Sequence, residues 1–245
     1  DLLGGSATYF SLAASHLAQT LRLVGVVGRD FGSNDRKLFD ERGIDTAGLV
    51  TDESGDTFRW GGRYHDNMND RSTLYTALNV FENFKPKLPA AYVDSPWVFL
   101  GNIDPNLQSD VLDQMEQASF VALDTMNFWI EGKRAALLQA LKRVHAIVIN
   151  DEEGQLLTGE SEWLAMARGV RALGPKTVII KRGKDGSILF HNDEMIQIPA
   201  YPVKQVVDPT GAGDTFAGGF MATLASSGDI TAQSLRHAVM MGTVL

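Results

Sequence analysis

The sequence predicts one α/β domain built around a mostly parallel β-sheet, and three observations support this prediction. The chain has 245 residues, of which 44% are hydrophobic and 21% are charged, an ordinary composition for a folded domain. Short apolar runs alternate with segments of helical periodicity between residues 97 and 181, as in sheets covered by helices on both faces. Polar clusters follow these runs directly, and such sheets bind ligands beyond the carboxyl ends of their strands.

The first elements are predicted from local patterns. Apolar residues at helical spacing, among them Tyr9, Leu12 and Leu17, predict an amphipathic helix over 6–19. A short apolar run predicts a strand over 21–27. A second helix, over 37–42, should end at Gly43, because glycine commonly caps the C-terminus of a helix.

Residues 57–65 show a different pattern. Apolar residues alternate there with polar ones: Phe58, Trp60 and Tyr64 against Arg59, Arg63 and His65. A period of two predicts a strand with two unlike faces, which does not suit a buried parallel sheet. We therefore predict an inserted β lid over 48–80 and a core of 1–47 and 81–245. The polar face either meets a phosphorylated or acidic substrate or is solvated, and exposed Phe58 and Trp60 would let two lids pair in a homodimer.

The remaining elements follow the strand–helix alternation. We predict strands over 97–101, 120–124, 146–150 and 177–181, and helices over 106–117, 129–143, 151–157 and 162–173. A hairpin of 187–190 and 195–198 should turn at His191, Asn192 and Asp193. The chain begins at Asp1 without methionine and ends at Leu245 inside a helical pattern, so we expect a first strand and a last segment to lie beyond it.

The composition disfavours several classes of function. The net charge is −8 and no basic run stands out, so nucleic acid is not expected as a partner. The absence of cysteine excludes disulfides and thiolate metal sites, and it fits the reducing cytoplasm. The sequence also has no uninterrupted apolar run of about eighteen residues, so no membrane span is expected.

A glycine-rich turn precedes the helical pattern that follows residue 211. Gly211, Ala212 and Gly213 lie where the first backbone N–H groups of that helix have no partner and the helix dipole is positive. Such a place binds phosphate. Asp214 would repel a resting phosphate, so we interpret it as a base that removes a proton from a hydroxyl while these amides hold the phosphoryl group. The alternative is that Asp214 only stabilises the first turn of the helix.

The string Asp208-Pro-Thr-Gly-Ala-Gly-Asp-Thr-Phe216 resembles the C-terminal signature of the ribokinase-like (PfkB) carbohydrate kinases. The resemblance implies a three-layer α/β/α sandwich with a small β lid. It implies ATP-dependent phosphoryl transfer to a hydroxymethyl group of a sugar, a nucleoside or a related polyol, with Asp214 as general base. It also implies that Asp208 and Thr210 contribute to a monovalent cation site, for K⁺ for example. An Asp-Pro turn with Thr210 as helix cap is the alternative.

Two more strand ends resemble motifs of the same family. Asn150 and Glu153 match its Asn-x-x-Glu metal and phosphate motif, which implies Mg²⁺, although acidic residues also favour a helix N-terminus. The turn from Lys181 is similar to the family's Gly-x-x-Gly turn at the nucleotide phosphates, which implies that Lys181 contacts these phosphates and that Gly183 and Gly186 shape the turn. An ordinary hairpin turn is compatible with that role.

The acceptor side resembles the family less closely. Gly4 and Gly5 resemble its first signature, a diglycine that approaches the sugar, but Tyr9 stands where the family often has asparagine. Asn102 and Asn127 lie in segments that resemble the family's segments flanking the acceptor cleft, which implies that they bind the substrate. The alternative is that both asparagines only form turns.

Other classes of protein were compared with these motifs. The sequence lacks both the dinucleotide fingerprint of a Rossmann dehydrogenase and the phosphate loop of a P-loop kinase. A nucleoside kinase of the same family and a non-catalytic sugar-binding or nucleotide-binding protein remain alternatives to a sugar kinase. The strand-like residues 57–65 disfavour the lidless kinases of vitamin precursors.

Overall fold

The computed structural model describes residues 2–64, 71–192 and 194–245. Its strands are β1 (Leu21–Gly28), β2 (Ile44–Asp52), β3 (Arg59–Tyr64), β4 (Arg71–Ala77), β5 (Trp97–Leu100), β6 (Phe120–Asp124), β7 (Ala146–Asn150), β8 (Thr177–Lys181), β9 (Ser187–His191) and β10 (Glu194–Ile198). Its α-helices are α1 (Ser6–Ala14), α2 (Ser33–Glu41), α3 (Pro105–Gln114), α4 (Asn127–Gly132), α5 (Arg134–Leu141), α6 (Asp151–Thr158), α7 (Trp163–Ala172), α8 (Ala212–Ser227) and α9 (Ala232–Val244).

The largest sheet has the strand order β10-β9-β8-β7-β6-β5. Strands β5 to β8 run parallel, whereas β9 and β10 form the predicted antiparallel hairpin at one side. The parallel strands are short and apolar because both of their faces are covered. All five residues of β6 are buried, for example. The mostly parallel sheet that the sequence predicts is therefore confirmed.

Successive side chains of these strands point to opposite helix layers. Ile147 and Ile149 of β7 pack with α3, α5, α6 and α7, whereas Val148, between them, packs with α8 and α9. Parallel strands place their carboxyl ends at one edge of a sheet, so β5, β6, β7 and β8 all end at the same edge. The sheet with a helix layer on each face is the predicted three-layer sandwich.

Close backbone contacts fix α8 between α1 and α9. A Cβ atom at Gly218 would overlap the carbonyl oxygen of Phe10, and one at Gly242 would lie 2.6 Å from the carbonyl oxygen of Phe216. Glycine at these two positions lets the helices approach closely. The backbones of α1 and α8 therefore touch where Phe10 faces Gly218.

Some helix boundaries differ from the sequence-based prediction. Helix α1 ends at Ala14, and the predicted helix over 129–143 is two helices, α4 and α5, separated by Lys133. The non-helical backbone of Lys133 (φ −131°) breaks a pattern that is periodic on both sides. Residues 201–207 are irregular and exposed although four of them are apolar or aromatic.

Strands β3 and β4 form a separate antiparallel sheet, as expected for a lid. Residues 48–52 of the predicted lid belong to β2, which pairs in parallel with β1. The division into a core and an inserted lid stays a prediction, as does pairing of two lids.

The expected exposure of Phe58 and Trp60 is wrong. Both are half-buried. The ring of Phe58 lies 5.5 Å from that of Phe81, and the ring of Trp60 covers Gly62. Arg59 on the opposite face forms an ion pair with Asp30, whereas His65 lies outside the described residues.

Among the helices of residues 2–64, 71–192 and 194–245, we find none with the length and apolar character needed to cross a bilayer.

Candidate active site

The glycine-rich turn lies at the N-terminus of α8, as predicted. The backbone of Gly211 is left-handed (φ 76°), and the Asp208 carboxylate accepts a hydrogen bond from the amide of Thr210 at 2.9 Å. Glycine adopts this left-handed conformation without strain, so the chain turns sharply into the helix here. The turn brings the first amides of α8 to the edge at which the parallel strands end.

The amides of this turn are not all available to a ligand. The amide of Ala212 donates to the carbonyl oxygen of Pro209 at 3.1 Å, so its predicted place among the free amides requires correction. Within the described residues, the amides of Gly211, Gly213 and Asp214 have no acceptor. Three unpaired amides at a helix N-terminus remain suited to an anion.

Tyr9 of α1 covers the turn from one side. A Cβ atom at Gly211 would overlap the ring of Tyr9, and one at Gly4 would lie 3.6 Å from the Tyr9 hydroxyl. Burial raises the pKa of Tyr9, and the negative charges of Asp208 and Asp214 raise it further. Tyr9 therefore joins the diglycine to the start of α8, a contact that the sequence did not predict.

Asp214 lies in the first turn of α8, and its carboxyl group is largely withdrawn from solvent. Burial raises the pKa of Asp214 from 3.8 to about 6, and repulsion by Asp124 adds to the increase. A hydrogen bond from Ser6 and the positive charge of Lys181 act in the opposite direction. Ser6 is the first residue of α1, directly after Gly5 (φ 96°). The diglycine thus places a hydroxyl group beside the candidate base.

Lys181 supplies positive charge to the same place. It ends β8, pairs with Asn150 of β7, and places its Nζ atom 2.7 Å from where a Cβ atom at Gly213 would lie. Its charge lowers the pKa values of Asp124, Glu153 and Asp214. The positive charge of Lys181 therefore acts on three carboxyl groups, and it lies next to the turn that carries the free amides.

Sequence reasoning missed Asp124. It ends β6 and is fully buried; burial raises its pKa, while Lys181 and the amide of Thr125 act to lower it. The signal was its position, because a buried carboxylate at the ligand-binding edge of a parallel sheet is costly without a role.

Asn150 and Glu153 contact each other rather than projecting freely. The Asn150 side chain accepts from the amide of Glu153 at 2.7 Å, and the Glu153 carboxylate accepts from the amide of Asn150 at 2.8 Å. This is a capping box, so the predicted alternative of a helix N-terminus holds here. Burial, with repulsion from Asp124, raises the pKa of Glu153 to about 7.

The carboxylates at this edge fit Mg²⁺ only through water and phosphate. Among the described residues there is no group of three or more His, Cys, Asp or Glu that could hold a metal ion. Mg²⁺ commonly keeps several waters and takes one or two carboxylates together with substrate phosphates. The second oxygen of Glu153 is compatible with such a site.

The turn after Lys181 is a short 3-10 helix over Gly183–Asp185. A Cβ atom at Gly186 (φ 83°) would overlap the carbonyl oxygen of Ile198, so glycine is needed there. Before this turn, the guanidinium group of Arg182 lies 3.8 Å from the ring centre of Trp163. The turn lies at the end of β8, where Lys181 pairs with Asn150 of the capping box.

The two asparagines follow β5 and β6 at the same edge. The Asn102 side-chain oxygen accepts from the indole N–H of Trp129 at 3.0 Å. The side-chain oxygen of Asn127 is buried without a partner among the described residues. Gly101 lies close to Ser6, which brings this segment near the start of α1.

Comparisons with known proteins show which family this chain belongs to. A model of the pfkB family carbohydrate kinases matches residues 2–245. The cytidine kinase of Thermococcus kodakarensis is 32% identical over 224 residues, which cover 89% of this chain and 79% of the relative. The nucleoside kinase of Methanothermobacter thermautotrophicus is 30% identical over 237 residues, which cover 94% of this chain and 74% of the relative.

A ribokinase-type chain from E. coli, solved in complex with ATP and Mg²⁺, has the same fold. The TM-score is 0.76 at 21% identity, with 98% of this chain and 85% of that chain covered. This likeness makes the fold ribokinase-like. Because the family model spans nearly the whole chain, the protein belongs to the pfkB family of carbohydrate kinases.

Proposed function

We propose that this protein transfers the γ-phosphoryl group of ATP to a hydroxymethyl group of a nucleoside or a related sugar. One observation carries the proposal: a carboxylate with a raised pKa, Asp214, lies in the same turn as unpaired amides and beside the ammonium group of Lys181. A base next to a phosphate-binding turn suits phosphoryl transfer to an alcohol.

Asp214 removes the proton of the acceptor hydroxyl. Its pKa of about 6 keeps most of it ionised at neutral pH, yet makes it a stronger base than an ordinary aspartate. The Ser6 hydroxyl stabilises the charged form of this carboxylate, because it acts to lower the pKa of Asp214.

The amides of Gly211 and Gly213, together with Lys181, hold the phosphoryl group during transfer. Their partial and full positive charges face the oxygens on which negative charge resides. The Asp208 carboxylate and the ring of Tyr9 both contact the turn that carries these amides. Gly183 and Gly186 shape the neighbouring turn, which we place beside the other phosphates of ATP.

Glu153 and Asn150 would hold Mg²⁺, through water where needed. Bound Mg²⁺ would neutralise negative charge on the β- and γ-phosphates of ATP. The E. coli structure that holds ATP and Mg²⁺ supports this choice for the family. Asp208 and Thr210 would contribute oxygen atoms to a monovalent cation site, for K⁺ for example.

The acceptor would bind between Asp214 and the small sheet. We place Gly4, Gly5, Asn102 and Asn127 at the core side of this space, and the side-chain oxygen of Asn127, which has no partner among the described residues, is suited to a substrate hydroxyl. The two relatives described above are named a cytidine kinase and a nucleoside kinase, which supports a nucleoside over a simple sugar as the acceptor.

The proposal is tested by measuring ADP release from ATP and Mg²⁺ with a panel of nucleosides, sugars and inositols. We expect nucleosides to stimulate ADP release, and mass spectrometry of the product should place the phosphate on the hydroxymethyl carbon. Reactions without acceptor give the background rate. If no acceptor raises ADP release above that background, the proposed function is wrong. If sugars alone do so, the acceptor class is wrong and the kinase activity stands.

A further inference from the structure

One hydrogen bond joins the small antiparallel sheet to the turn before α8. The side-chain hydroxyl of Thr210 donates to the hydroxyl oxygen of Tyr64 at 3.0 Å, although the two residues are 146 positions apart in the chain. Tyr64 is the last residue of β3. Thr210 directly precedes Gly211, whose amide is one of the free amides of the site.

Tyr9 supports the same turn from the core. A Cβ atom at Gly211 would overlap the ring of Tyr9, so this ring covers the turn. The turn therefore lies between one tyrosine from α1 and one tyrosine from the small sheet.

The chain segment before the turn gives it little support. Residues 201–207 are irregular and exposed, and Val207 is 81% exposed. Within the described residues, the side-chain hydroxyl of Thr210 bonds to Tyr64, and the backbone amide of Thr210 bonds to the Asp208 side chain. Asp208 is itself part of the turn. The contact with Tyr64 is thus the hydrogen bond that ties Thr210 to another part of the fold.

We propose that Tyr64 is a positioning residue whose hydrogen bond to Thr210 sets the conformation of the turn over 208–211. The anion-binding amides then reach their working geometry only while the small sheet is docked on this turn. The effect of Tyr64 on phosphoryl transfer rests on the proposed function, whereas the coupling of the small sheet to the turn does not.

The coupling is tested by hydrogen–deuterium exchange of the wild type, Tyr64→Phe, Thr210→Val and the double variant. The net free energy of one hydrogen bond changes an opening equilibrium by a factor of roughly 2 to 10. We therefore expect the rate of amide exchange to rise by that factor in both 59–64 and 208–214. The double variant should exchange like either single variant, because both lose the same bond. Tyr75→Phe is the matched control, since it removes a hydroxyl from β4 of the same sheet.

The proposal is overturned if Tyr64→Phe changes exchange in 59–64 alone, or if the two substitutions act independently. It is also overturned if the Tyr75→Phe control changes exchange in 208–214 as much as Tyr64→Phe does.

Kinetics supply a second readout. A positioning role predicts that Tyr64→Phe lowers kcat roughly 2- to 10-fold and leaves the KM for ATP within twofold of the wild type. A raised KM for the acceptor with unchanged kcat would show that Tyr64 only covers the substrate, and it would overturn the positioning role. A wild type without phosphoryl transfer would defeat the proposed function, while the exchange experiment would still decide the coupling.

Discussion

A Cβ atom at Gly213 would lie 2.7 Å from the Nζ atom of Lys181. The end of β8 and the first turn of α8, more than thirty residues apart in the chain, therefore share one small space. The absence of a side chain at position 213 lets the ammonium group stand against the backbone, beside amides that have no other partner. Positive charge and unpaired N–H groups are concentrated there because glycine leaves room for both.

Gly213→Ala should lower the activity of the protein without lowering its stability. The atom in the way is the end of a flexible side chain, so Lys181 moves aside at little cost to the fold. Alanine also favours a helix over glycine by up to about 1 kcal/mol. We expect an unchanged or higher melting temperature and a fall in kcat/KM of about 10²-fold, the size typical of losing one charge-stabilising group.

The matched control is Gly132→Ala, at the end of α4, where a Cβ atom would meet no neighbour within 4 Å. It should keep full activity. A Gly213→Ala variant as active as this control would contradict the role of Lys181 beside the turn.

Gly211→Ala should damage both the fold and the site. Alanine is strained at φ 76°, and its Cβ atom would overlap the ring of Tyr9. The backbone strain alone costs about 1–2 kcal/mol. We expect urea denaturation to show a larger loss of stability than this, and phosphoryl transfer to fall with it.

Gly228→Ala at the other end of α8 provides the comparison. Gly228 has a similar φ of 72° but no neighbour within 4 Å, so only the strain applies there. Equal losses of stability in the two variants would show that the ring of Tyr9 does not confine Gly211.

Glu153 should make the protein less stable as the pH rises. Its pKa is raised from 4.5 to about 7, so the folded state binds the proton more tightly than the unfolded state does. The contribution of Glu153 to the free energy of unfolding is fully present below about pH 4.5. It is lost as the pH rises to about 7, and the loss is on the order of 3 kcal/mol. Denaturation between pH 5 and pH 8 without Mg²⁺ measures the change.

Glu153→Gln keeps an oxygen that accepts from the amide of Asn150 but carries no charge. We expect this variant to lose much of the pH dependence and to be more stable than the wild type at pH 8. Glu152→Gln, an exposed neighbour in the same helix turn, is the control. An unchanged pH dependence in Glu153→Gln would show that burial of this carboxyl group is not destabilising.

The sheet was predictable because its strands are short apolar runs between polar ends. Strands β6, β7 and β8 have the bounds that the sequence indicated. The break at Lys133 was not predictable, because helical periodicity continues on both sides of it. The packing of Phe58 was missed since its partner, Phe81, lies beyond the small sheet and an alternating pattern does not show which face will be covered.

The site was only partly predictable from the sequence. The glycine-rich turn and Asp214 follow one another in the chain, so their chemistry is visible in a short string. The commitment of the Ala212 amide to Pro209 is a detail of turn geometry that residue types do not fix. Asp124 was marked only by its position at the end of a strand, and Tyr64 reaches the site by tertiary folding from a strand whose local sequence does not indicate this contact.

The most direct test of the central claim is the turnover of Asp214→Asn with ATP, Mg²⁺ and the best acceptor. Loss of a general base should lower kcat by roughly 10²–10⁴-fold, while the affinity for ATP stays near that of the wild type. The wild-type rate should fall as the pH drops below about 6, because the base then becomes protonated. An Asp214→Asn variant that transfers phosphate at nearly the wild-type rate, or a wild-type rate that persists well below pH 6, would contradict the account.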